Sequence, residues 1–382
     1  MTMSDNTHYS TLFHKPSGDY FLTHSIGLVP YSTQDALIEN YLTPWQHASS
    51  HTWPTWLNAI EDFKQQLATL FNSSSDLFCP QANVTAAISK LIPALGAHSK
   101  LAKRRIIIAT ESDFPSTRFA FQQAEKLGFT LKILPEPVDL QSLEIWDDAL
   151  NEDVHCAFIT QVVYNTNARL PVEEIAKLCQ MLGIISVVDV AQAAGIVPIN
   201  LAKLGADIVV GSCIKWLCGG PGAGFIWIRK ALIPLLEPTD VGWFSHQNPF
   251  EYDSNNFEYH ESANRFWGGT PSIAPYVAAS NSIGLINQIG MDTIQRHNQN
   301  LTKRLMSAIP DQYLNSPSAL EQKGGTTVFD FSRINKSYQA EIEHRMTLNG
   351  IHFDSRQYGV RLSPHIYNTE SEIDRLIECF EV

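Results

Sequence analysis

Asp189 closes the apolar run Val187-Val188-Asp189, and Lys215 follows it by 26 residues in Ser212-Cys213-Ile214-Lys215-Trp216, just ahead of the turn Gly219-Gly220-Pro221-Gly222-Ala223-Gly224. A carboxylate at the end of a buried strand can keep a pyridine nitrogen protonated, which makes the ring an electron sink. A lysine at the end of the next strand can form an imine with an aldehyde and, once a substrate amine frees it, can move protons at Cα. The glycines let the chain pass close to a bound group before a strand resumes at Phe225. Together these are the requirements of pyridoxal phosphate (PLP) chemistry. An aspartate at a strand end more often caps a helix, and a lysine more often sits in solvent. Lys215, however, lies between an apolar strand and a glycine-rich turn, where an unpaired ammonium is costly.

The elements that must position this pair are strands and helices in alternation. Short runs rich in Ile and Val at 105–109, 130–134, 156–163, 184–188, 207–211 and 224–228 read as strands covered on both faces. Amphipathic stretches at 116–127 and 172–182 lie between them, the second ending at Gly183, a helix C-cap. Such alternation predicts an α/β fold with a mostly parallel central sheet. Beyond residue 275 the pattern changes to a long helical region at 276–308, strand-like pieces at 326–331, 351–353 and 359–362, and a helix at 338–348. A last helix opens on the capping box formed by Thr369 and Glu372. We therefore expect an N-terminal arm over 1–50 packing with the small domain, a large cofactor-binding domain over 51–272 and a small α+β domain over 273–382.

Composition narrows the function. With 44% hydrophobic and 17% charged residues, the 382-residue chain can bury a large core. A net charge of −12 argues against nucleic-acid binding, which needs clustered Lys and Arg. The six cysteines show neither CxxC nor Cys/His spacing, so no metal site or disulfide framework is expected and the thiols read as reduced in a cytoplasmic protein. The polar start MTMSDNTHYS has no apolar signal region, and no uncharged run approaches the ~20 residues that span a bilayer.

Separated motifs then carry a resemblance. The chain resembles the class V aminotransferase group of fold-type-I PLP-dependent enzymes, and within it is most similar to kynureninase. The carriers are the lysine segment, 20–28 (YFLTHSIGL), Phe114-Pro115-Ser116, 242–246 (GWFSH) and 361–368 (RLSPHIYN). The resemblance implies that Val84 and Thr85 hold the phosphate at a helix N-terminus, where free N–H groups favour an anion. Phe114 would stack on the pyridine ring, with Asp189 as its nitrogen's partner. Gln192 would contact the cofactor near its 3′-oxygen, and Trp243 would meet the phosphate. Thr270 would reach the phosphate of a second subunit, implying a homodimer with shared active sites. Arg361 would bind the substrate α-carboxylate with its planar fork. Ser25 and His51 are further substrate-binding candidates, and Trp53, Trp56, His246 and Tyr276 candidates to line the pocket.

The chain departs from kynureninases at Ile214, where they carry Tyr, at Thr117 (Asp), Gln192 (His) and Thr270 (Asn). Asn167 stands where the group has Gly, a place that asks for left-handed backbone, which Asn tolerates. Segment 351–360 has no cysteine, so the nucleophile of a cysteine desulfurase is missing, and Cys213 and Cys218 have apolar neighbours that make them inert. Transamination and cleavage beyond Cα share these groups, and sequence leaves them open. The alternatives are a β-eliminating C–S lyase of the same group and a non-catalytic PLP-binding sensor.

Overall fold

The computed structural model describes residues 7–97, 103–136, 139–333 and 336–380. Its central sheet has seven strands: β1 (Phe78–Gln81), β2 (Ile106–Thr110), β3 (Thr130–Leu134), β4 (Val154–Thr160), β5 (Ile185–Asp189), β6 (Ile208–Ser212) and β7 (Gly224–Ile228). They lie in the order β1-β7-β6-β5-β4-β2-β3, and β7 alone runs against its neighbours. Because strand side chains alternate, Val187 and Val188 enter two different cores, as do Phe158 and Ile159. Those cores clothe the two faces of the sheet, which is why its inner strands are buried at nearly every position.

Several helices bear on the site. They are α1 (Thr52–Phe71), α2 (Val84–Ala97), α3 (Pro115–Gln122), α4 (Val172–Leu182), α5 (Ala274–Ile289), α6 (Met291–Ala308), α7 (Lys336–Leu348) and α8 (Glu370–Glu378). α4 ends on Gly183 at φ 64°, and α8 opens on the Thr369–Glu372 capping box, both as their sequences predict.

The structure corrects other expectations. The helical region 276–308 is two helices, broken at Gly290, whose φ of 87° leaves the helical range. Only the first part of 116–127 is α-helix; Gln123–Leu127 tightens to a 3-10 turn. The apolar run 156–163 is strand only as far as Thr160, because Leu170 N–H and Val163 N–H bond Gln161 O and Ala168 O in a turn of their own. β3, at the sheet edge, is not covered on both faces: its side chains alternate between exposed and half-buried. Strand β1 was not expected at all; Pro80 is accommodated because β1 is the opposite edge.

The smaller C-terminal domain holds a three-stranded antiparallel sheet, β9 (Asp354–Arg356), β10 (Gly359–Leu362) and β8 (Thr327–Phe329), with a core of its own that includes Phe21. Residues Asp19–Tyr20 pair in parallel with Ile351–His352. Arg375 donates from Nε and Nη2 to the two Asp19 oxygens, at 2.8 and 2.6 Å.

Candidate functional site

The loops that carry Val84, Thr85, Phe114, Asp189 and Lys215 all leave the carboxyl ends of parallel strands of the large sheet. Thr160 and Asp189 end adjacent parallel strands and are partners in register. Lys215 follows β6, Phe114 follows β2, and Val84 and Thr85 open α2 directly after β1. A crevice outside the carboxyl ends of parallel strands is where α/β sheets take their ligands.

Lys215 is the centre of this crevice. Its Nζ stands 5.6 Å from the centroid of the Phe114 ring, which is 48% exposed despite its size and packs edge-on against Tyr164 at 5.3 Å. Burial pushes the Lys215 ammonium toward the neutral amine; Asp189 opposes that shift and Arg361 adds to it. Asp189 is buried, accepts from Ala191 N–H at 2.7 Å, and has its carboxyl pushed up by burial, with the Lys215 charge acting the other way. A buried carboxyl, a lysine inclined to neutrality and an uncovered aromatic face thus occupy one space. That set fits a flat, phosphorylated pyridine aldehyde: amine for the aldehyde, acid for the ring nitrogen, ring face for stacking.

The backbone under Lys215 is held from the N-terminal segment. Gly27 N–H donates to Ile214 O at 2.8 Å, and a Cβ on Gly27 would stand 2.1 Å from Lys215 O. Gln192 donates to His24 O at 3.1 Å and accepts from Trp216 Nε1 at 3.0 Å, so its amide bridges that segment and the lysine loop.

Val84 and Thr85 lie half-buried in the first turn of α2, where Ala86 N–H is already capped by Asn83 Oδ1 at 2.9 Å. Asn167 adopts φ 62°, the left-handed backbone expected of it, and its side chain accepts from Thr326 N–H at 2.9 Å. Trp243 joins an aromatic group, 4.5 Å from Phe244 and 5.7 Å edge-on from Trp53. Thr270 is exposed. Cys213 and Cys218 are buried, and burial pushes both thiols far up, as inert cysteines require.

Some candidates are placed differently. Ser25 is exposed, and its neighbour His24 is the one buried in the site. His51 is exposed at the start of α1, and no hydrogen bond among the described residues ties it to the Lys215 group. Tyr276 packs on Phe63 in the core, 5.1 Å between rings. His246 is held by Glu258 N–H, which donates to its Nδ1 at 3.0 Å.

Arg361 is 5% exposed and already engaged. Nε and Nη2 donate to Asp354 Oδ1 and Oδ2 at 2.7 and 2.5 Å, and Nη1 donates to Tyr164 O at 2.9 Å. Neither Asp354 nor His24 was singled out in the sequence. Burial opposes the Asp354 charge, but the Arg361 fork and the His24 ring outweigh it and hold the carboxyl far below the usual range. Asp113 was also missed. Fully buried, it accepts from Thr160 Oγ1 at 2.6 Å and Thr110 N–H at 2.7 Å, and burial, with Asp189 nearby, pushes its carboxyl up to about 7.

Among the described residues no helix is long and apolar enough to cross a membrane, and no group of three or more His, Cys, Asp or Glu could hold a metal. Residues 32–376 match the family model described as aminotransferase class-V. An uncharacterised aminotransferase of Bacillus subtilis, YcbU, is 24% identical over 85% of this chain and 84% of its own. A kynureninase of Deinococcus radiodurans is 26% identical over 80% and 76%. The solved apo structure of a cysteine desulfurase from Thermococcus onnurineus has a TM-score of 0.82 at 22% identity, covering 95% of this chain and 94% of that one.

Proposed function

The chain belongs to the aminotransferase class V family of PLP-dependent enzymes, and on that premise we propose that it acts on an α-amino acid by removing a proton from Cα at Lys215. The observation that carries the reading is the position of Lys215 Nζ below the uncovered ring of Phe114, with its ammonium disfavoured by burial and Asp189 and Arg361 both within its field.

PLP, when bound, supplies an electron sink for the charge left at Cα. Lys215 would hold its aldehyde, and the same amine, whose charged form burial disfavours, would take the Cα proton. Asp189 would keep the ring nitrogen protonated, Phe114 would offer its face to the ring, and Gln192 would contact the cofactor from the bridge it makes between His24 and Trp216. Val84 and Thr85, at the N-terminus of α2, would hold the phosphate together with Trp243 and with Thr270 from a second subunit. Arg361 would take the substrate carboxylate, with the buried His24 rather than the exposed Ser25 or His51 beside it. Segment 351–360 has no cysteine to carry sulfur, which favours transamination or a kynureninase-like cleavage over persulfide transfer.

A homodimer with shared sites is supported by the large apolar side chains that the N-terminal region leaves exposed, among them Ile26, Val29, Tyr31 and Trp45. Such a density of exposed apolar surface marks an interface. Six free, buried thiols support a cytoplasmic location.

The test is spectroscopic first. PLP-saturated protein gains a visible absorbance band that Lys215→Ala lacks; a wild type without the band sinks the reading. An amino-acid panel assayed for keto acid, alanine and anthranilate then separates transamination from cleavage. Sedimentation checks the assembly, where a monomer that holds PLP tightly would contradict the shared site.

A further inference from the structure

Arg361 is an arginine whose guanidinium is already partly spent within the protein. A guanidinium has five N–H groups. Asp354 takes one on Nε and one on Nη2, and Tyr164 O takes one on Nη1. One N–H is left on each terminal nitrogen, enough for the two oxygens of one carboxylate.

What holds Asp354 extends this arrangement across the site. His24 Nε2 lies 3.3 Å from Asp354 Oδ1, and its Nδ1 is 2.6 Å from Ser363 Oγ, which is itself 2.8 Å from Thr326 Oγ1. In the tautomer where Nδ1 accepts from Ser363, the Nε2–H faces the Asp354 carboxylate. Burial lowers the His24 pKa, so the neutral ring is favoured. The carbonyl of the same residue accepts from Gln192, whose Oε1 accepts from Trp216, the neighbour of Lys215. A continuous set of bonds and contacts therefore runs from the lysine loop through Gln192 and His24 to Asp354 and Arg361. It joins three parts of the chain that sequence keeps more than 130 residues apart.

We propose that Asp354, braced by His24, is a positioning residue that fixes Arg361 at a set distance from Lys215, so that the outward N–H pair selects substrates bearing a carboxylate on Cα. The proposal rests on the amino-acid reading above and adds a specificity device to it. Physically, a buried guanidinium without a counterion is costly and free to swing. The Asp354 pair supplies the counterion and removes the swing before substrate arrives, so the ordering cost does not fall on binding.

The experiment compares L-alanine with L-alaninamide, which lacks the carboxylate, by titrating the absorbance of PLP-loaded wild type, Asp354→Ala and Asp354→Asn. The ratio of the two dissociation constants reads carboxylate recognition alone, since a merely structural defect weakens both probes alike. We expect the preference for L-alanine to fall ~10-fold in Asp354→Ala, the worth of one charge-assisted pair, and less in Asp354→Asn, which keeps one acceptor. An unchanged or increased preference in Asp354→Ala overturns the proposal, since Asp354 would then be idle or a competitor for the fork. A wild type that answers neither amine counts against the amino-acid reading instead. The brace is then judged by the Arg361 Nε–H resonance, assigned through Arg361→Lys: it should be protected from solvent exchange in wild type and unprotected in Asp354→Ala. An unprotected line in wild type overturns the brace.

Discussion

Gly27 and Lys215 are packed backbone to backbone: the space where a Cβ of residue 27 would go lies 2.1 Å from the Lys215 carbonyl oxygen and 2.7 Å from Cys218 Sγ. The N-terminal segment therefore forms the bed on which the lysine loop rests.

Gly27→Ala should displace one of these two segments, because the obstruction is backbone and cannot rotate away. We expect a loss of about 3 kcal/mol of stability, the upper part of the overpacking range, together with weaker PLP retention. Denaturant melts and PLP titration check both, and a variant with unaltered cofactor affinity would show that the bed does not hold the site.

Arg361→Ala should destabilise the protein because it strands Asp354, whose side chain is only 22% exposed. A partly buried, unpaired carboxylate costs about 2 kcal/mol after allowing for that exposure. The double variant Arg361→Ala, Asp354→Ala should recover most of the loss, and the thermodynamic cycle measures the coupling. Additive losses would mean that the pair seen in the hairpin contributes nothing as a pair.

Asp113 gives a pH dependence of definite sign. Its folded pKa is raised from the ordinary carboxylate range to about 7, chiefly by burial. The folded state thus binds a proton that the unfolded chain has released, so the stability this group contributes is present at low pH and is lost as pH climbs from about 4 to 7. Asp113→Asn removes the dependence. Its stability relative to wild type should rise between pH 4.5 and pH 8 by at most ~4 kcal/mol, the equivalent of about three pKa units. Thermal melts at several pH values read it, and a flat difference would show that Asp113 is ionised throughout.

The parts of this site written in local sequence were legible there. Asp189 and Lys215 each close an apolar run whose composition demands a covered strand, and the strands that carry them do pair side by side. Gly183 and the Thr369–Glu372 box declare helix ends for equally local reasons. His24 and Asp354 could not be found this way. Each is an ordinary residue in an ordinary segment, and what makes them a pair is a tertiary contact across 330 positions. The YFLTHSIGL segment was recognised as part of the site, yet Ser25 was chosen over His24 because no periodicity says which neighbour of a turn faces inward. Asp113 was hidden for another reason: its partner Thr160 belongs to β4, and only strand order brings the two together. The break at Gly290 was missed because a glycine within a long apolar pattern is tolerated as often as it ends a helix.

The parallel pairing of Asp19–Tyr20 with Ile351–His352 bears on how the molecule is made. The bed for Lys215 is translated among the first residues, but its anchorage to Ile351–His352 and to Arg375 comes from the last ones. A chain emerging from the ribosome can complete its seven-stranded sheet well before that anchorage exists. Contacts of such long sequence separation are the slowest to form. The large sheet should therefore stand folded on the nascent chain while the crevice stays unfinished, and the capacity to hold cofactor should appear abruptly once α8, with Arg375, has emerged.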